Sequence, residues 1–324
     1  MPKPSKAQAQ EESQKTTLYT LSLTDTQMEQ LHRLLNKRLW EDYEVDHARF
    51  AFKGDNVNVV GYRSGKLVVQ GKKTEDFVRY ILEAEITGEP RLGYEEFHHA
   101  EWFEPHAGLD ECGKGDLFGP LIACCVIGDG DTVRKWRQAG IQDSKRISDA
   151  AILKYDTVIR KTNSVVVKTA YCSMERYNML MSKPKANLNH LLAWLHAKAL
   201  EEALKQRPVA WGLLDQFSRQ PLVQGYFKNN AFELRMQTKA ESDPVVASAS
   251  ICARAEFLRQ LQKLSAEAGE PLLKGAGTKV KQQAATLVEK FGAEALGYYA
   301  KLHFRTAYEV LGLPVPEKTY RPLR

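Results

Sequence analysis

Between Gly108 and Pro120 the chain reads GLDECGKGDLFGP: Asp110 and Glu111 end an apolar run, and Gly113, Gly115 and Gly119 follow in the next eight residues. Neighbouring carboxylates repel, and a bound cation is one group that offsets that repulsion. Carboxylates gathered at strand ends suit hard divalent ions such as Mg²⁺ or Mn²⁺. The glycines behind them permit close approach of backbone to a ligand. A solvated Asp–Glu turn is the plain alternative, and the apolar strand in front of the pair argues against it. Asp215 has a similar setting, closing the run VAWGLLD. Glu241 and Asp243 stand in KAESDPVVASASICAR, ahead of a helix rich in alanine and serine. Asp243 directly precedes Pro244, and helices favour Asp at the N-cap and Pro at the first position. Asp243 therefore reads as a cap and Glu241 as the fourth ligand, with Asp243 kept as the alternative.

The donors a phosphate would need are also present. Gly113 and Gly115 offer backbone amides and Lys114 offers charge. Lys145, in the stretch DSK, is a second cationic candidate. Asn187 and Asn189 could meet ribose 2′-hydroxyls, although Asn187 reads equally well as a helix N-cap. His196 reads as packed rather than ligating. The histidines of HHAEWFEPH (98–106) lack metal-binding spacing, and five cysteines without paired spacing suggest a reducing cytoplasm.

The elements that must position these groups fall into two sets. A chain of 324 residues, 43% hydrophobic and 27% charged, is long enough for two globular domains. No apolar run approaches a membrane span, and the polar opening MPKPSKAQAQEESQK reads as part of a disordered tail, 1–16. Residues 17–87 read as a small α+β unit. Strand TLYTLSL is followed by a helix from Asp25 to Leu39 behind a Thr24–Gln27 capping box. Three strand-like runs, ARFAFKG, VNVVGYR and KLVVQGK, lead to a second helix opening at Thr74. Residues 88–106 have no clear period and are expected to form a linker. From 107 to 315 apolar strands are expected at 107–111, 119–127, 165–171 and 209–215. Helices are expected at 148–161, 187–206, 245–265, 278–291 and 300–311, and a tail at 316–324. This order suggests a mixed sheet flanked by helices. The net charge of +6 is only weakly indicative of a polyanionic partner.

Seven stretches in order, GLDECGKGDLFGP, DSKRIS, YNMLM, NLNHLLAWLHAKAL, LLDQF, KAES with ASASICAR, and KLHF, resemble bacterial ribonuclease HIII of the type 2 ribonuclease H family. The N-terminal unit resembles that family's extra domain, which is similar to the TATA-binding-protein fold. The resemblance implies a ribonuclease H-like α/β catalytic domain and a monomeric endonuclease that cuts the RNA strand of RNA/DNA hybrids, with no membrane partner. It implies an acidic quartet of Asp110, Glu111, Asp215 and Glu241 holding two ions, and backbone contacts from Gly113, Lys114 and Gly115. It lets the N-terminal sheet, with Lys53, Lys66, Lys72 and Lys73 nearby, grip the hybrid. Ribonucleases HII carry a tyrosine where Thr278 stands here, and arginine where Lys114 stands. The expected substrates are therefore hybrids with several consecutive ribonucleotides. An HII-type enzyme acting on single ribonucleotides and a non-catalytic hybrid binder are the alternatives.

Overall fold

The computed structural model of this chain describes residues 17–92, 94–138, 141, 147–227 and 231–315, and the expected tails fall outside them. The chain divides between Glu101 and Trp102 into two compact units.

The first unit runs β1 (Leu18–Ser22), α1 (Asp25–Lys37), β2 (Glu41–Asp42), β3 (Ala48–Gly54), β4 (Val57–Tyr62) and β5 (Lys66–Gly71). A helical turn at Thr74–Phe77 then widens into a π-helix, Val78–Thr87. The strands form one antiparallel sheet in the order β1-β5-β4-β3-β2. Helix α1 opens on the capping box: the Gln27 amide donates to Thr24 Oγ1 at 3.3 Å, and the Thr24 amide donates to Gln27 Oε1 at 3.0 Å. Its buried Met28, Leu31 and Leu35 pack with Phe77, Val78 and Leu82 on Phe50, Phe52, Val57, Val59, Leu67 and Val69. Strand alternation turns Lys53, Asn58, Lys66 and Gln70 to the other face, where all four are exposed. Lys53 pairs with Asn58, and Asn58 with Gln70, so these three form a row across β3, β4 and β5. The segment expected as a structureless linker contains two short helical turns, Glu95–His98 and Ala100–Phe103.

The second unit has strands β6 (His106–Cys112), β7 (Ile122–Gly128), β8 (Val166–Ala170), β9 (Trp211–Asp215) and β10 (Glu233–Gln237). Its longer helices are α2 (Gly130–Gln138), α3 (Asp149–Lys161), α4 (Met174–Met181), α5 (Leu188–Gln206), α6 (Pro244–Ala268), α7 (Thr278–Phe291) and α8 (Arg305–Val310), with a helical turn at Leu296–Tyr299. The sheet is mixed, in the order β10-β9-β6-β7-β8. Strand β7 runs antiparallel to both its neighbours, β6 and β8, and β6, β9 and β10 are parallel. Helix α6 covers the face that carries Ile122, Cys124 and Val126. Helix α5 covers the opposite face, on Ala107, Leu109, Cys125 and Ile127. Gly108 sets how closely α6 can lie: a Cβ there would meet Val246 N at 2.4 Å and Val245 C at 2.5 Å.

Several expected boundaries move. The strand expected at 119–127 starts at Ile122, because Gly119 has φ +79° and turns the chain. The helix expected at 300–311 shrinks to α8, Arg305–Val310. Strand β10 and helices α2 and α4 were not expected. No helix among the described residues is long and apolar enough to cross a membrane.

Candidate active site

Strand pleat separates the two adjacent acids. Leu109 faces α5, so Asp110 faces α6 and Glu111 turns back to the α5 side. Strand β9 runs parallel to β6 with Leu109 opposite Leu214, which brings the ends carrying Asp110 and Asp215 together. Asp110 Oδ1 accepts the Glu111 amide at 2.8 Å, and the Ser250 hydroxyl of α6 donates to the same carboxylate. Asp215 Oδ1 accepts the Ala240 amide at 3.0 Å. That bond ties the short turn Ala240–Ser242, and with it Glu241, to the end of β9. Burial, then the charge of Glu111 and less so that of Asp215, pushes Asp110 up to about 7.

Glu111 has a partner that sequence reasoning missed. Its Oε2 lies 3.1 Å from Nε2 of His196, a fully buried residue of α5. The imidazole stacks on Phe217 at 5.4 Å and 11°, and the Lys114 ammonium sits 5.5 Å from the centre of the same ring. His196 is packed, as expected, but it also holds a carboxylate. The signal in the sequence was a histidine among Leu192, Ala193, Leu195 and Leu200, since a buried polar group needs a partner.

Asp243 is engaged elsewhere. It caps α6, taking the Val245 amide at 2.7 Å and the Val246 amide at 3.2 Å on Oδ1. His106 Nε2 lies 3.0 Å from its Oδ2, and the His106 ring stacks on Trp211 at 4.4 Å. The carboxylate is 1% exposed.

The glycine loop leaves β6 at Gly113, whose φ of +90° and close approach to Pro120 O exclude a Cβ. Gly115 is exposed and Lys114 half-buried. The loop is braced from the far end of the chain: the Leu117 amide donates to Gly275 O at 2.8 Å, and the Gly275 amide to Asp116 Oδ1 at 2.6 Å. Asn187 caps α5, its Oδ1 accepting the Asn189 amide at 2.8 Å; Asn187 is exposed and Asn189 half-buried. Thr278 is the first residue of α7. Lys145 lies outside the described residues.

All four candidate ligands offer carboxylate oxygen, the donor of hard divalent cations. Among the described residues, no three His, Cys, Asp or Glu side chains already stand together as a metal-holding group. Glu111 is instead turned to His196, and Asp215 accepts a backbone amide. The donor set still fits a cation, because Asp110 is buried against two like charges that a positive ion would relieve.

Residues 107–307 match the family model described as Ribonuclease HII, and residues 20–89 match the Domain of unknown function DUF3378. The chain is 40% identical over 271 residues to a protein of Chlamydia muridarum named Ribonuclease HIII, covering 82% of this chain and 88% of that one. It is 34% identical to the Ribonuclease HIII of Protochlamydia amoebophila, covering 82% and 87%. Among solved structures it is similar to Bst-RNase HIII in complex with Mn²⁺, with TM-score 0.62, 27% identity, and 91% and 98% of the two chains covered. It is also similar to Aquifex aeolicus RNase H3, with TM-score 0.53, 25% identity, and 89% and 100% covered.

Proposed function

This chain belongs to the ribonuclease HII family, on its ribonuclease HIII side, and we propose that it hydrolyses the RNA strand of RNA/DNA hybrids with two divalent cations held by Asp110, Glu111, Asp215 and Glu241. The observation that carries this reading is Asp110: a carboxylate raised to about 7 by burial and like charge, at the adjoining ends of two parallel strands. A solved relative in complex with Mn²⁺ supports a divalent ion, Mn²⁺ or Mg²⁺.

Bound cations supply activation of a water, orientation of the phosphodiester and stabilisation of the leaving oxygen. Asp110 would help hold them, since it shares a sheet face with Asp215. Glu111 reaches from the other face with its carboxylate steadied by His196, and Glu241 completes the set from its turn. Asp243, committed to His106 and the α6 cap, has no part. Gly113, Lys114 and Gly115 contact the hybrid backbone, with Lys145, Asn187 and Asn189 as further substrate contacts. The open face of the N-terminal sheet adds phosphate contacts through Lys53 and Lys66. The five cysteines, free in the structure, suit a reducing cytoplasm, and the enzyme acts as a monomer.

The test is cleavage of a hybrid by full-length protein as Mg²⁺ or Mn²⁺ is titrated in after chelation. Asp110→Asn should abolish cleavage with either ion and keep hybrid binding within about twofold, since it removes charge at nearly constant size. Near wild-type cleavage by that variant would end the metal assignment. Thr278 in place of a ring, and Lys114 without a planar fork, favour hybrids with several consecutive ribonucleotides over a duplex holding one. Equal initial rates on the two duplexes would instead indicate an HII-type preference.

A further inference from the structure

Two stretches that carried the family resemblance, YNMLM (177–181) and KLHF (301–304), have no part in the chemistry above. In the structure they meet behind the glycine loop. Lys301 is fully buried, and its ammonium donates to Asp116 O at 2.8 Å and to Gly119 O. Its own amide donates to Leu117 O at 2.8 Å, and the Gly119 amide donates to Tyr299 O at 3.0 Å. One lysine thus engages three carbonyls of a four-residue stretch. The ammonium also lies 5.9 Å from the Tyr177 ring centre and 6.0 Å from that of Phe304, a setting for cation–π attraction.

The segment bearing Lys301 is itself fixed by Asn178. Its amide nitrogen donates to Gly297 O at 2.8 Å and to Ala300 O at 2.9 Å, and its oxygen accepts the Leu302 amide at 2.9 Å. This side chain therefore makes three hydrogen bonds to residues 297–302, more than a hundred positions away. A buried ammonium is costly wherever an apolar side chain of the same length would fit. Burial pulls Lys301 down to about 7, and the charge of Asp116 opposes that fall. The hydrogen bonds it makes to the loop are what offset the cost.

We infer that Lys301 is a positioning residue for substrate binding: seated by Asn178 and Tyr177, it fixes the Asp116–Gly119 backbone so that Gly113, Lys114 and Gly115 are presented in one conformation. The inference rests on the reading that this loop contacts the hybrid backbone. Asp110 and Glu111 are held separately, in the pairing of β6 with β7 opposite Cys124 and Ala123. Loss of the ammonium should therefore weaken binding more than turnover.

The experiment compares wild type, Lys301→Met, Lys301→Arg, Asn178→Ala and Lys114→Ala in the full chain. It measures KM, kcat and melting temperature, with hydrogen exchange at the loop amides. Lys301→Met should raise KM for a hybrid roughly tenfold and change kcat less than about twofold, the scale of one or two lost charged hydrogen bonds. Lys301→Arg, which keeps donors, should recover part of the loss, and Asn178→Ala should shift KM in the same direction. Exchange should speed up at Gly115–Gly119 and stay slow at Leu109. Unchanged KM in Lys301→Met beside a raised KM in Lys114→Ala would overturn the positioning role and leave the loop reading intact. Unchanged KM in both would bring down the loop reading itself. If kcat falls as far as KM rises, in step with melting temperature and with no recovery by arginine, Lys301 belongs to the core alone and the proposal fails.

Discussion

Each unit is built on a five-stranded sheet, and the two sheets are finished differently. The first carries its helices on one face, where Phe50, Val59 and Val69 are buried, and leaves Lys53, Asn58, Lys66 and Gln70 exposed on the other. The second is covered on both faces, by α6 and α5, so functional groups can emerge only at strand ends and in the loops beyond them. The exposed Lys53, Asn58, Lys66 and Gln70 lie around buried Ala51, Val60 and Val68 and offer area on which several weak phosphate contacts can add. A covered sheet offers a fixed point, where Asp110 and Asp215 are set by strand register rather than by side-chain freedom. Under the proposed function, grip belongs to the first arrangement and bond breaking to the second.

The covered sheet's division between ligand and structural acid is sharpest at Glu241 and Asp243, two residues apart. Glu241→Gln should lower kcat by roughly a thousandfold with little change in melting temperature, the scale of a lost metal contact in the transition state. Asp243→Ala should behave in the opposite way, destabilising the second unit by about 3–5 kcal/mol because it leaves His106 buried without its partner. Denaturant unfolding beside single-turnover cleavage separates the two, and interchanged results would make Asp243 the ligand.

Next in size is a dependence on pH. The Asp110 carboxyl is near 7 in the folded chain, against an ordinary 3.8, so the folded state binds the proton more tightly. The stability it confers is full below about pH 4 and lost as pH rises to about 7 and beyond. The chelated protein should therefore lose on the order of 3 kcal/mol between pH 4 and pH 8, and Asp110→Asn should flatten that slope. Equal slopes for the two proteins, by urea unfolding, would remove Asp110 as the cause.

The smallest expected effect lies on the open sheet. Reversing Lys53 and Lys66 to glutamate should raise KM for a hybrid about tenfold, reduce the dependence of binding on salt, and leave kcat alone, as lost phosphate contacts do. A fall in kcat with KM unchanged would blur the division of labour between the two sheets.

Local signals in the chain carried the local structure. The Thr24–Gln27 box, the apolar runs of β6, β7 and β9, and the Asp243–Pro244 opening of α6 each depend on neighbours within a few positions, and each could be read directly. What escaped was bonding across distance. His196 reaches Glu111 over 85 positions, and nothing near either residue announces the other. The pattern at 300–311 looked helical throughout. Yet Ala300 bridges Phe118, and Lys301 and Leu302 bond to the loop and to Asn178, so α8 begins only at Arg305. Strand β10 escaped because an edge strand with exposed Glu233, Arg235 and Gln237 lacks the apolar run that marked the others. The facing of the two acids escaped as well: nothing in their adjacency told that the pleat turns Asp110 toward Ser250 of α6 and Glu111 toward His196 of α5.

Strand β6 is the third of five, paired along its whole length with β7 and on its other edge with β9. Its position has a consequence in time. Central strands open only when a whole unit opens, so amides near Asp110 should be among the last to exchange with solvent. Between such openings the acid meets each arriving nucleic acid in the same place. Under the proposed function, accommodation to a bent, nicked or mismatched duplex then falls to the duplex and to the loops beyond the strand ends, so the ease of deforming the substrate is expected to influence cleavage.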